Sequence, residues 1–283
     1  MEPKIRLSTA YPIKELFSFL NSATLSFSNL DWISSRERLD APFCYVLEDE
    51  GQIKALISCQ PEDANAAWLR FFVGQSDGKH ADYFRLLLNR ALIDLKAAGV
   101  QGLYTLSFKS WQEQLFSGSA FFPHTRIITL IRLVSGDTAF DPPAGWRIRP
   151  MTQEDLPEVE EVDHAAFSSP WQLNRASLQA AFRGCSYNTV AEQNGRITAY
   201  QMTAASYNIS HLARLAVLPN SQQHGLGSSL VQDTIREAEA RGSTEISVNT
   251  QTNNASSLRL YSRFGFQQEG KLVPVFKKAV QEI

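Results

Sequence analysis

Two segments of this chain occur twice, at nearly the same spacing. Tyr45-Val46-Leu47-Glu48-Asp49-Glu50-Gly51-Gln52-Ile53-Lys54-Ala55 lines up with Thr189-Val190-Ala191-Glu192-Gln193-Asn194-Gly195-Arg196-Ile197-Thr198-Ala199, and Leu115–Phe121 lines up with Leu260–Phe266. In the first pair, two short apolar stretches flank a polar turn whose glycine can take a positive φ, which predicts a hairpin in each copy. Two separate matches at nearly the same offset point to a duplicated domain. The two halves are therefore expected to share one fold.

The order of elements repeats as well. Each half reads as an opening helical region, the hairpin, a further strand, a long helix, a strand, a short helix and a last strand. In the first half the strand is Trp68 to Val73 and the helix about Tyr83 to Ala98, ended by Gly99; in the second they are about His211 to Val217 and Gly225 to Arg241, with Gly242 as the stop. Strands mixed with helices predict an α/β fold of α+β layers. Turn and breaker residues concentrate in Gly136-Asp137 to Ala144-Gly145, which reads as a linker over 136–145 between domains at 1–135 and 146–283.

Composition narrows the function classes. A chain of 283 residues with 43% hydrophobic residues can hold two packed cores, and a net charge of −2 gives no electrostatic case for nucleic acid. Cys44, Cys59 and Cys185 show neither CxxC nor histidines at ligand spacing, so no metal site or disulfide framework is expected. No apolar run approaches the roughly 18 residues of a membrane helix, and Met1-Glu2-Pro3-Lys4 opens no signal core. The expectation is a cytoplasmic enzyme, monomer or homodimer, without membrane or nucleic-acid partners.

The chemistry concentrates in Leu215-Ala216-Val217-Leu218-Pro219-Asn220-Ser221-Gln222-Gln223-His224-Gly225-Leu226-Gly227. A glycine-containing turn that opens a helix leaves backbone N–H groups pointing outward, and the helix dipole adds to their attraction for an anion. Gly225 and Gly227 would let a pyrophosphate approach the main chain without a Cβ in the way. The lysine and Ser/Thr of a Walker loop are absent, and only two of the three glycines of a dinucleotide fingerprint are present.

The strand ending Leu-x-Val-x-Pro followed by Q-x-x-G-x-G resembles the signature of the GNAT superfamily of N-acetyltransferases. Asn254-Ala255-Ser256-Ser257-Leu258-Arg259-Leu260-Tyr261-Ser262-Arg263-Phe264-Gly265-Phe266 is similar to that family's N-x-x-A-x-x-L-Y-x-x-x-G-F segment. Ala166-Phe167-Ser168-Ser169-Pro170-Trp171 is similar to the branch that acetylates protein N-termini, including the ribosomal-protein alanine acetyltransferases. The resemblance covers about Trp146 to Lys278. It implies tandem GNAT folds, each a mixed, mostly antiparallel twisted sheet flanked by helices, and acetyl-CoA as cosubstrate. The implied donor contacts are the backbone of Leu215 and Val217 for the acetyl carbonyl and pantetheine arm, residues Gln222, Gln223, His224, Gly225, Leu226, Gly227 and Ser228 around the pyrophosphate, and Asn254 beside the pantetheine.

Acetyl transfer to an amine requires a neutral amine, oxyanion stabilisation and an acid for the departing thiolate. The resemblance implies Tyr261 as that acid. Many members of the family carry a glutamate six residues before the valine of Leu-x-Val; His211 stands there and is the candidate base. The alanine acetyltransferases often carry a second glutamate where this chain has Asn249, which cannot take a proton. The expected reaction is direct attack of a primary amine, on a small molecule or a peptide N-terminus, through a tetrahedral intermediate; an acetyl-CoA-binding regulator without turnover is the rival. In the first half, Val73-Gly74-Gln75-Ser76-Asp77-Gly78-Lys79-His80 lacks the loop spacing, Asp77 would repel a pyrophosphate, and Phe116 stands opposite Tyr261. That half reads as a degenerate copy, either a scaffold that closes the sheet or shapes the acceptor cleft, or a separate small-ligand or acyl-CoA sensor.

Overall fold

The computed structural model describes residues 3–29, 31–134 and 142–280. Residues 136–141 of the expected linker lie outside them. The chain forms two compact units, Met1–His124 with Pro274–Ile283, and Thr125–Val273.

In chain order the elements are β1 (Lys4–Leu7), α1 (Ile13–Ser22), β2 (Leu25–Ser28), β3 (Cys44–Asp49), β4 (Gln52–Pro61), β5 (Ala66–Gly74), α2 (His80–Ala97), β6 (Gly102–Leu106), α3 (Ser110–Ser117) and β7 (Phe122–Leu133). Then come β8 (Arg147–Pro150), α4 (Leu156–Ala166), α5 (Arg175–Gly184), β9 (Tyr187–Gln193), β10 (Arg196–Ser206), β11 (Ile209–Val217), α6 (Leu226–Ala240), β12 (Glu245–Gln251), α7 (Ala255–Arg263) and β13 (Gln267–Ala279).

The first unit carries the ladder β1-β3-β4-β5-β6 and the end of β13. Only β5 and β6 run parallel. The second carries β8-β9-β10-β11-β12 and β7 from Thr125 onward, with only β11 and β12 parallel. Both expected hairpins form. Glu50 and Gly51 (φ 52° and 74°) and Asn194 and Gly195 (φ 51° and 77°) turn with two consecutive positive φ values, the twist-matched geometry for a two-residue loop.

The helices follow their apolar periodicity. Phe84, Leu87, Leu88, Ala91, Leu92 and Leu95 give α2 one buried stripe against β3, β4 and β5, and Leu226, Leu230, Val231, Ile235 and Ala238 do the same for α6 against β9, β10 and β11. Both helices stop as expected. Gly99 donates to the Lys96 carbonyl and Val100 to that of Leu95; Gly242 donates to Glu239 and Ser243 to Ala238. Each is a paired C-terminal closure in which the glycine takes the left-handed turn.

The sequence places the domain boundary at 136–145, whereas the compact units divide the chain after His124 and after Val273. The ladders give the reason. β7 pairs with β12 from Ile127↔Gln251 to Leu133↔Glu245, and the end of β13 pairs with β6 from Val275↔Leu106 to Ala279↔Gly102. The last strand of each half thus completes the sheet of the other unit. Alternation along a strand tells which face is buried, not which neighbour it will join.

Candidate functional site

In the second unit β11 and β12 pair over only four positions, Ile209↔Glu245 to Leu212↔Val248. Beyond Leu212, β11 continues for five residues with β10 on one edge, and among the described residues its other edge has no strand partner. The ladder to β10 shifts between Met202 and Thr203, leaving Ala213 as an extra residue, so the strand bends where pairing to β12 stops. Leu215 and Val217 lie on the freed edge, which offers main-chain donors and acceptors to an extended amide-bearing ligand. The Val217 carbonyl already accepts from Gln222 Nε2 (3.1 Å), so the Gln222 side chain ties the loop to the strand end.

The loop that follows turns twice through positive φ, at Gln223 (66°) and Gly225 (90°), before α6 begins at Leu226. Among the described residues, no protein acceptor takes the backbone N–H groups of residues 223–228. Open amides at a helix start are the kind of arrangement that attracts anions. Leu226 is buried in the core with Val217 and Leu230, so it contributes its amide alone. The His224 ring packs against Trp146, with centroids 5.7 Å apart. A Cβ on Gly227 would sit 3.3 Å from Leu260 Cδ2, tight enough to displace that side chain. Gly225→Ala forces an alanine to φ 90°. Thermal denaturation is expected to register a loss of roughly 1–3 kcal/mol; an unchanged midpoint would show that the turn tolerates a Cβ.

On the face reached by α4, His211 and Ser247 are register partners, and His211 Nδ1 lies 2.9 Å from Ser247 Oγ. Burial holds the imidazole below its ordinary value of 6.5, so the ring is neutral at neutral pH. If Nδ1 carries the proton and donates to Ser247, Nε2 is left as a free acceptor. Asn249, the first β12 residue past the paired stretch, accepts at Oδ1 from Thr129 Oγ1 (2.8 Å).

Tyr261 is buried on α7 among Leu212, Val248 and Phe266. Its hydroxyl has no hydrogen-bond partner among the described residues. Burial raises its pKa, so the phenol keeps its proton. Asn254 caps α7, accepting at Oδ1 from the Ser257 amide (3.2 Å). Two carboxylates near these segments in sequence are engaged elsewhere: Glu192 pairs with Arg147 and Arg149, and Glu245 sits at the closed end of the β11–β12 ladder.

Sequence reasoning missed a buried ion pair beside the splay. Asp163 on α4 is wholly buried and accepts from Arg214 Nε (2.8 Å) and Nη2 (2.6 Å), from the Tyr200 hydroxyl and from the Leu173 amide. Arg214 also donates to the Trp171 carbonyl (2.6 Å) and stacks over the Phe167 ring at 3.7 Å. It thereby fastens the 167–173 segment to β11 immediately after the bulge. Only the non-periodic aspartate on the buried face of α4 hinted at it.

Residues 154–266 match the family described as Acetyltransferase (GNAT) family. Over 114 residues the chain is 28% identical to the [Ribosomal protein bS18]-alanine N-acetyltransferase of Escherichia coli K12, spanning 40% of this chain and 76% of that one. Two solved structures share the fold across both halves. A conserved protein of unknown function from Enterococcus faecalis V583 has a TM-score of 0.71 at 10% identity, over 99% of this chain and 73% of that one. A tandem GNAT protein from the clavulanic acid biosynthesis pathway has a TM-score of 0.61 at 10% identity, over all of both chains. Among the described residues, no helix is long and apolar enough to cross a membrane.

Proposed function

We propose that this chain, whose residues 154–266 are a GNAT acetyltransferase domain and which is an acetyl-CoA-dependent acyltransferase, moves the acetyl group to a primary amine by direct attack. The acceptor is a small molecule or a protein or peptide N-terminus. The observation that carries this reading is the splay of β11 from β12, which opens beside six unpaired amides. Acetyl-CoA supplies an activated acyl group, a pantetheine arm with amides for the free edge of Leu215 and Val217, and a pyrophosphate for residues 223–228.

The chain's own groups then divide the proton work. Tyr261 delivers a proton to the departing sulfur, and His211 Nε2 takes one from the amine, directly or through water. No acyl-enzyme is needed: Cys185 is buried, and burial pushes its thiol up to about 12, so almost none is thiolate at neutral pH. Asn249 stands where the alanine acetyltransferases often place a glutamate, which favours His211 as the base.

Calorimetry with acetyl-CoA, coupled to thiol release over an amine panel that includes alanine-initiated peptides, tests the reading. Acetyl-CoA bound with no thiol released for any amine would overturn it. The pH profile tests the base. With its pKa depressed, His211 is neutral above 6.5, so the acid limb it contributes is expected only below that value, apart from the amine's own ionisation at higher pH. The same limb should vanish in His211→Gln. Stability follows the same sign: below 6.5 the unfolded ring binds a proton that the folded ring resists, so the stability associated with the buried neutral ring is present above 6.5 and lost as pH falls through the folded value. Identical profiles in parent and variant would assign the base elsewhere.

A further inference from the structure

The first unit has the same splay as the second. β5 and β6 pair only from Ala66↔Gly102 to Trp68↔Tyr104, and β5 then runs on to Gly74. Its ladder to β4 shifts between Ser58 and Cys59, leaving Arg70 as the extra residue, where the second unit has Ala213. The shared bulge sets the correspondence between the strands. Phe72 stands where Leu215 stands, and Gly74 where Val217 stands.

In this copy the freed edge is taken. β2 pairs antiparallel with it, Leu25↔Gly74, Ser26↔Val73, Phe27↔Phe72 and Ser28↔Phe71. The next residue spans the gap: Asn29 donates its backbone N–H to the Arg70 carbonyl (2.7 Å), and its Nδ2 donates to the Leu69 carbonyl on β5 and to Thr105 Oγ1 on β6 (3.2 Å). Phe27 meets Phe116, the counterpart of Tyr261, edge to face at 5.4 Å. The start of the following helix also has an internal anion. The Asp77 carboxylate accepts from the Lys79 amide (3.0 Å) and from the Tyr83 hydroxyl (2.8 Å).

We infer that the first unit is liganded by its own chain: residues 25–29 fill the slot a pantetheine arm would use, Asp77 takes the place of the pyrophosphate, and the protein binds one acetyl-CoA rather than two. This inference rests on the second unit's splay being the donor site. Strand pairing is the recognition mode an extended amide chain uses at a sheet edge, and a covalently attached strand competes at an effective concentration that a free ligand does not reach. Burial of Phe27 against Phe72 and Phe116 adds an apolar anchor to the pairing.

Calorimetric stoichiometry on the full chain tests it, together with hydrogen exchange over residues 25–29. The expected result is one site per chain, weakened more than about 100-fold by Gly227→Glu, which sets a carboxylate among the phosphate-binding amides. The amides of residues 25–29 should be protected without ligand and unchanged at saturating acetyl-CoA. Two sites, or one site that survives Gly227→Glu in a variant shown folded by circular dichroism, would overturn the inference. So would loss of protection in residues 25–29 when acetyl-CoA binds. No binding at all, with residues 25–29 still protected, would overturn the functional reading of the second unit while upholding the filled slot.

Discussion

Tyr261→Phe is expected to lower turnover by roughly 10²- to 10⁴-fold, the usual contribution of a positioned general acid, while leaving the dissociation constant of acetyl-CoA unchanged. The substitution is clean because the ring does the packing. It lies among Leu212, Val248 and Phe266, with the Phe266 ring centroid 5.6 Å away, and the hydroxyl it loses has no protein partner among the described residues. Stability should therefore change little. Because burial raises the phenol's pKa above its ordinary 10.0, the parent should show no alkaline limb from this group below pH 10. Steady-state kinetics with a saturating amine reads the effect. Unchanged turnover in the variant would move the acid elsewhere.

The second large effect is expected from Asp163→Ala. Removing one partner of a buried pair leaves the other charge without compensation, at a cost of about 3–5 kcal/mol. Here the guanidinium of Arg214 would remain beside the Phe167 ring with the Trp171 carbonyl and the Tyr200 hydroxyl as its polar neighbours. The Leu173 amide would lose its acceptor as well. Chemical denaturation measures the loss, and the cycle with Arg214→Met apportions it. The double variant is expected to be more stable than Asp163→Ala alone, since it buries no orphan charge. Additive losses would show that the two side chains act independently.

What the sequence disclosed was local. The Glu50-Gly51 and Asn194-Gly195 turns, the stops at Gly99 and Gly242 and the glycines of the 222–227 loop are each set by the backbone geometry of a few adjacent residues. The backbone contacts of Leu215 and Val217 were implied by a family resemblance, and the short β11–β12 ladder leaves free the edge that carries them. Three features were not legible. The Asp163–Arg214 pair joins residues 51 positions apart, and the aspartate on the apolar face of α4 hints at a buried partner without naming it. The alternation of Leu25-Ser26-Phe27-Ser28 announces a short strand but not the edge it occupies. The partners of β7 and β13 are decided by which open edge each strand meets, and pattern carries no record of that.

The exchange of last strands has a consequence for synthesis. One edge of β6 pairs with β5 nearby, but its other edge is covered by residues 275–279, far along the chain. A nascent first half therefore presents an unpaired edge throughout translation of the second, the kind of edge that invites pairing with another chain. Its closing contacts are also of the slow, long-range kind. The first half to be made is thus the last to be finished, because its sheet waits for residues 275–279.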